Sequence, residues 1–138
     1  MAELGQQQID AYLGEPHVAN LTTVRPNGRP HVAPVWFLWE AGRVYVIAGN
    51  TAVKVRNIRA NPAVALSVAA DARPYQYVIM EGQAQVREDS LEDMVNRICI
   101  RYDGPERGAE FAQELLSSGG TVLLEIEVAK TIPWQEDE

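Results

Sequence analysis

Apolar residues recur along this chain with two different periods. Leu4, Ile9, Tyr12 and Leu13 stand at near-helical spacing and Gly14-Glu15-Pro16 closes the segment, which predicts a short N-terminal helix over residues 3–13. From His17 to Arg25 the residues are mostly small, apolar or threonine. Pro26-Asn27-Gly28 then supplies a tight turn before a second β-like run, Pro30 to Trp39, so the two runs read as a hairpin. Pro30 and Pro34 both lie in the second run. Proline cannot donate to a ladder, so this strand is expected at a sheet edge or bulged near Pro34, where backbone groups stay free for a ligand.

Glu40-Ala41-Gly42 makes another turn, and Arg43 to Ala48 alternates as a half-buried strand does. Gly49-Asn50-Thr51 breaks it, and Ala52 to Ala60 follows as a short helix closed by Asn61-Pro62. Ala63–Ala69 and Tyr75–Arg87 are the next strands, the second carrying Gly82 as a bend or bulge. Asp89 is expected to open a helix in a capping-box spacing with Glu92, with Met94, Ile98 and Tyr102 on its buried face. Asp103-Gly104-Pro105 interrupts, a second helix runs from Glu106 to Ser117, Gly119-Gly120 ends it, and Thr121–Val128 returns as the last strand. The expectation is a mainly β, six-stranded antiparallel barrel with peripheral helices, in a single domain over residues 1–138 with an acidic tail at 135–138. Six strands in so short a chain barely enclose a core, so a partner subunit packing on one side is expected as well.

Composition narrows the function. Of the 138 residues 46% are apolar, enough for one ordinary core, yet no run approaches the roughly 20 apolar residues of a membrane span. The N-terminus resembles no signal peptide, so a cytoplasmic protein is expected. One cysteine, Cys99, and two histidines, His17 and His31, offer neither an internal disulfide nor a structural zinc cluster. A net charge of −7 argues against nucleic acid as a partner. The charge is unevenly spread: residues 1–70 carry six Lys/Arg against four acids, residues 71–138 six against fifteen. An anionic ligand therefore belongs to the first half, and the second half reads as solvated surface.

Chemistry concentrates in Gly49 to Arg59. A strand delivers the chain to a Gly-Asn-Thr turn, and the amides at the following helix start, with the Thr51 hydroxyl, are suited to phosphate oxygens. Lys54 and Arg56 add full positive charge, the arginine with a two-pronged grip. The alternative is a capped amphipathic helix with solvated cations, which the bare pattern fits equally well.

Four stretches together resemble a known superfamily: Ala19–Thr23 leading into Asn27–Phe37; Thr51–Arg59 with Asn61–Leu66; Val78–Ala84; and Ile132-Pro133-Trp134. They are similar to the pyridoxamine 5'-phosphate oxidase-like, or flavin/deazaflavin oxidoreductase, superfamily of FMN-binding split β-barrels, over nearly the whole chain. The resemblance implies a homodimer with cofactor sites between subunits. It implies Thr51, Lys54 and Arg56 at the cofactor phosphate, Asn57 behind them, and Pro34, Val35 and Trp36 on the strand whose backbone lines the flavin ring. Residues from Met80-Glu81-Gly82 onward, or Pro133-Trp134, would close the site from the partner. The Lys-Val-Arg-Asn-Ile-Arg run and the Pro-Val-Trp-Phe strand look more like the branch that binds the deazaflavin coenzyme F-420 than the FMN oxidases. The implied reaction is hydride transfer to an electron-poor small molecule such as an enone, quinone or tetrapyrrole. Alternatives are an FMN-dependent enzyme of the same fold and a non-catalytic cofactor- or haem-binding barrel, with His17 or His31 as haem ligand.

Other residues are read against plainer roles. Arg25, Arg29 and Arg59 are extra cations for an anionic cofactor, with surface roles preferred for the first two. His31 precedes the ring-lining strand, where a structural hydrogen bond is the commoner use of histidine. Trp39 and Trp134 are expected in core or interface, and Cys99 as buried and inert. No residue stands out as a general acid, and Tyr75 and Tyr77 are proton-donor candidates by location alone. That scarcity suits a reaction whose hard chemistry a cofactor carries.

Overall fold

The structure, a computed structural model, describes residues 5–136. The elements are α1 (Gln6–Leu13), β1 (Ala19–Val24), β2 (Pro30–Val35), β3 (Leu38–Glu40), β4 (Arg43–Gly49), α2 (Val53–Ala60), β5 (Ala63–Ala69), β6 (Gln76–Arg87), α3 (Glu92–Asp103), α4 (Pro105–Ser118) and β7 (Thr121–Gln135). The strands form one sheet in the order β2-β1-β5-β6-β7-β4-β3, every neighbour antiparallel.

This order makes the sheet a split barrel. β2 and β3 are its two edges, yet only Trp36 and Phe37 separate them in sequence. Three Cα–Cα steps span at most about 11 Å, so the sheet must curl until its edges nearly meet without pairing. The run expected as one strand from Pro30 to Trp39 is therefore two strands on opposite sides of the slit, and the sheet has seven strands where six were expected. Pro30 and Pro34 sit on the edge, where their missing N–H groups cost nothing.

Alternation fills the barrel. Ala19 and Leu21 of β1, Val44, Val46 and Ala48 of β4, Val64, Leu66 and Val68 of β5, Val78 and Met80 of β6, and Leu124 and Ile126 of β7 point inward and are buried. The pairing of β6 with β7 shifts register between Glu81 and Gly82, where Lys130 and Val128 are the partners and Ala129 is the extra residue, so the bulge lies in β7 opposite the glycine expected to mark it. β7 runs on to Gln135, well past Val128, since β6 gives it twelve partners. Gln135 is thus in the sheet, and Glu136 takes an ion pair from Arg73 and a hydrogen bond from the Tyr75 amide. Residues 3 and 4 of the expected first helix, and 137 and 138 of the acidic tail, lie outside the described residues.

Helices α3 and α4 form a hairpin on the outer face of β4 and β7, where Tyr45, Ile47 and Leu123 meet Val95, Ile98 and Cys99. Gly108 lets the two helices touch: a Cβ there would lie 2.7 Å from the Cys99 carbonyl oxygen. Asp89 does not cap α3. The helix starts three residues later, preceded by Leu91, and no side chain caps it. Its buried face is Val95, Ile98 and Cys99, with Met94 and Tyr102 half-buried beside it. Burial, and secondarily Asp103, pushes the Cys99 thiol above its usual range, so it stays protonated. No described helix is long and apolar enough to cross a membrane.

Candidate functional site

The site is built where β4 hands the chain to α2, next to the β1–β2 turn. Gly49 ends the strand, the Ala52 amide bonds back to the Gly49 carbonyl, and Ala52 takes an extended backbone before the first helical turn. No side chain caps that turn, so the Thr51 hydroxyl, exposed, is not spent on the helix. Lys54, half-buried, and Arg56, exposed, follow within the first turns of that helix.

Arg56 faces a groove. Its walls are Arg25, Pro26 and Asn27 from the β1–β2 turn and Val53, Arg56 and Asn57 from α2. No carboxylate lines it, and among the described residues neither Arg25, Arg56 nor Lys54 has an acidic partner. The other arginines near the site differ. Arg59 is bonded to the Asn50 side chain at 2.7 Å and to Glu88 at 2.9 Å, so it braces the turn before α2.

Asn57 anchors the helix from below. Its Nδ2 donates to Thr23 Oγ1 at 3.0 Å, and Thr23 and Asn57 are the fully buried polar side chains among the described residues. Thr23 follows Ala19 and Leu21 on the inward face of β1, so its hydroxyl lies inside the barrel end. His31 pairs with Thr23 across the β1–β2 ladder, and its Nδ1 is buried with no hydrogen-bond partner.

The ring-side residues are placed differently from one another. Pro34 is exposed on the edge strand, Val35 lies in the core, and Trp36 is half-buried at the slit. The Trp36 ring stacks on Tyr102 with centroids 4.7 Å apart and planes 4° apart, and meets Phe111 edge-on at 6.0 Å. Its indole thus fixes β2 to the α3–α4 hairpin. Tyr77 and Trp134, opposite one another on β6 and β7, stack at 5.4 Å, and Tyr75 is exposed over Arg73. His17 hydrogen-bonds Glu15 at 2.8 Å and lies against Tyr12. No group of three or more His, Cys, Asp or Glu among the described residues could hold a metal ion.

Sequence reasoning passed over Thr23 and set Arg25 aside as surface. The signal for Thr23 was present, a polar residue at an inward position of an alternating strand. For Arg25 there was none, because its neighbour Arg56 is 31 residues away and only the packing of α2 joins them.

A slit, curled antiparallel sheet with a helix start and, among the described residues, cations without acidic partners at one end defines a split barrel with a candidate anion site. The family described as pyridoxamine 5'-phosphate oxidase matches residues 6–135, and the chain belongs to it. An F-420 reductase of known structure is similar at 29% identity and a TM-score of 0.72, over 89% of this chain and 94% of that one. A conserved hypothetical protein of Mycobacterium tuberculosis superposes with a TM-score of 0.81 at 20% identity, over 96% of this chain and 86% of that one. An FAD-binding protein of Mesorhizobium loti does so at 0.71 and 17% identity, over 98% and 96%. The last two show the fold. A search among curated proteins found no match.

Proposed function

We propose that this chain is a deazaflavin-dependent oxidoreductase, a homodimer that uses coenzyme F-420 to deliver hydride to an electron-poor small molecule such as an enone, quinone or tetrapyrrole. The observation that carries the reading is the set of unpaired cations, Lys54 and Arg56 on α2, beside an uncapped helix start and the free Thr51 hydroxyl. In a chain of net charge −7, leaving those cations without carboxylates fits a phosphorylated ligand. The 29% identity with an F-420 reductase, over most of both chains, supports the deazaflavin.

When bound, the deazaflavin supplies the hydride, and a proton from solvent or a tyrosine completes reduction of the acceptor. The chain's own residues bind and orient. Thr51, Lys54 and Arg56 hold the phosphate, Asn57 steadies their helix, and the backbone of Pro34, Val35 and Trp36 offers an edge strand to the ring. The homodimer draws support from the outer face of β1, β2, β5 and β6 and the end of β7, which α3 and α4 leave uncovered. On that face Val32 is 58% exposed on β2, and half-buried Ile79, Ile132, Tyr77 and Trp134 lie together on β6 and β7.

A fluorescence titration with the deazaflavin coenzyme, and in parallel with FMN, tests the reading. Micromolar or tighter binding of the deazaflavin is expected, weakened about tenfold or more in Lys54→Ala and in Arg56→Ala. Arg59→Ala, whose guanidinium is held by Asn50 and Glu88, is expected to change affinity less than either. Preference for FMN would change the cofactor and keep the fold; binding of neither would overturn the redox function.

A further inference from the structure

We propose that Thr23 and Asn57 are positioning residues, and that their buried hydrogen bond holds Arg25 and Arg56 as two arms on one oxyanion of the ligand. The inference rests on the cofactor-binding reading above and deepens it, adding a second cationic arm from the β1–β2 turn.

The two arginines come from segments with no sequence proximity, and the bond that joins those segments is specific. Thr23 lies two residues before Arg25, and Asn57 one residue after Arg56, so the 3.0 Å bond between them ties the root of one arm to the root of the other. A neighbouring pair of guanidinium groups repels, and here no carboxylate lines the groove they share. Arg59, Arg73, Arg87, Arg97 and Arg107 meet carboxylates and Arg101 meets the backbone carbonyls at the end of α1, while Arg29 and Arg43, which also lack an ion pair among the described residues, do not line this groove. Two unspent arginines converging on one groove match an anion with several oxygens, which guanidinium forks bind in two-bond fashion.

A buried polar bond is a costly way to pack a barrel end, since a valine and a leucine would fill the same space without desolvating a hydroxyl and an amide. What the bond adds is direction. Asn57 cannot slide along β1 without orphaning its amide, so the helix, and Arg56 with it, keeps one register against the turn. The buried, unpartnered Nδ1 of His31, across the ladder from Thr23, leaves one further polar atom at the same end of the barrel.

The test is the affinity ratio between a phosphorylated ring and its phosphate-free counterpart: FMN against riboflavin, and the deazaflavin coenzyme against its bare chromophore. Wild type is expected to prefer the phosphorylated form. Arg25→Ala should cut that ratio about tenfold while leaving the phosphate-free form within about twofold. Thr23→Val, which keeps the shape and removes the hydroxyl, should cut the ratio several-fold, Thr23→Ser should restore it, and Arg25→Ala should cost less in the Thr23→Val background. Thermal unfolding of each variant accompanies the titrations. If Thr23→Val does not fold, Arg25→Ala, at an exposed position, still decides. An unchanged ratio in Arg25→Ala, or in a folded Thr23→Val, overturns the inference; with Lys54→Ala still weakened, the cofactor reading stands. Failure of wild type to bind any of the four rings overturns both.

Discussion

The Tyr102 hydroxyl takes the place of a missing strand at Phe37. It lies 3.0 Å from the Phe37 amide nitrogen, which donates to it, and 2.6 Å from the His17 carbonyl, to which it donates. Phe37 falls in the two-residue gap between the sheet's edges, is fully buried, and has no strand to pair with. A side chain from α3 therefore closes the slit that β2 and β3 leave open, and stacks on Trp36 as it does so.

Tyr102→Phe keeps that stack and removes the hydroxyl. It leaves the Phe37 N–H buried and unpaired, at an expected cost of about 1–3 kcal/mol. Urea unfolding should show a lower midpoint with an unchanged slope; an unchanged midpoint would mean that water satisfies the amide as well as the hydroxyl does.

Gly108→Ala discriminates between local preference and packing. On helix propensity alone the change in α4 should stabilise by about 1 kcal/mol. Because the new Cβ would press on the backbone of Cys99 and Ile100, the opposite sign is expected, a loss of about 1–3 kcal/mol. The thermal midpoint reports the sign directly.

Tyr12 titrates late. Burial first, then Glu15 and Asp71, push its phenol up from 10.0 to about 12, and its hydroxyl donates to the Val68 carbonyl at 3.2 Å. A raised phenol pKa means the folded state keeps a proton that the unfolded chain gives up. The stabilisation is whole below pH 10 and is lost as the pH rises toward 12. About 1 kcal/mol is expected after allowance for solvent screening. Stability measured from pH 9 to 11.5 should fall more steeply in wild type than in Tyr12→Phe, and equal slopes would remove Tyr12 as the cause.

If the proposed dimer uses the uncovered sheet face, one substitution there separates the subunits. Ile132→Asp places a charge opposite Ile79 and between Lys130 and Trp134 on the outer side of β7, away from the barrel core. A monomer is expected in sedimentation or light scattering with the far-ultraviolet spectrum intact. A dimer that survives the substitution would place the interface on another face.

Most elements were legible in the chain because their causes are local. Alternation gives Arg43–Gly49 and Ala63–Ala69, Pro26-Asn27-Gly28 gives the first hairpin, and Gly82 marks the bulge where a strand must bend. Two boundaries went astray. The Pro30–Trp39 run splits where the sheet closes on itself, and α3 starts after Leu91 because Ser90 takes a left-handed backbone, φ 54°, between Asp89 and the helix. The cation-bearing helix after β4 was likewise readable, since strand, turn and helix lie within one stretch of sequence.

By itself, then, the sequence determined the period of each segment, the inward set of the barrel and the sign of charge at its first half. Tertiary structure alone decided which edge meets which, that Tyr102 seals the slit, and that Arg25 stands beside Arg56 across a groove. Periodicity depends on each residue and its near neighbours, whereas the last two contacts join segments 31 to 85 residues apart and the first needs the whole sheet between its edges. They exist only once burial of a common core has fixed how the sheet curls.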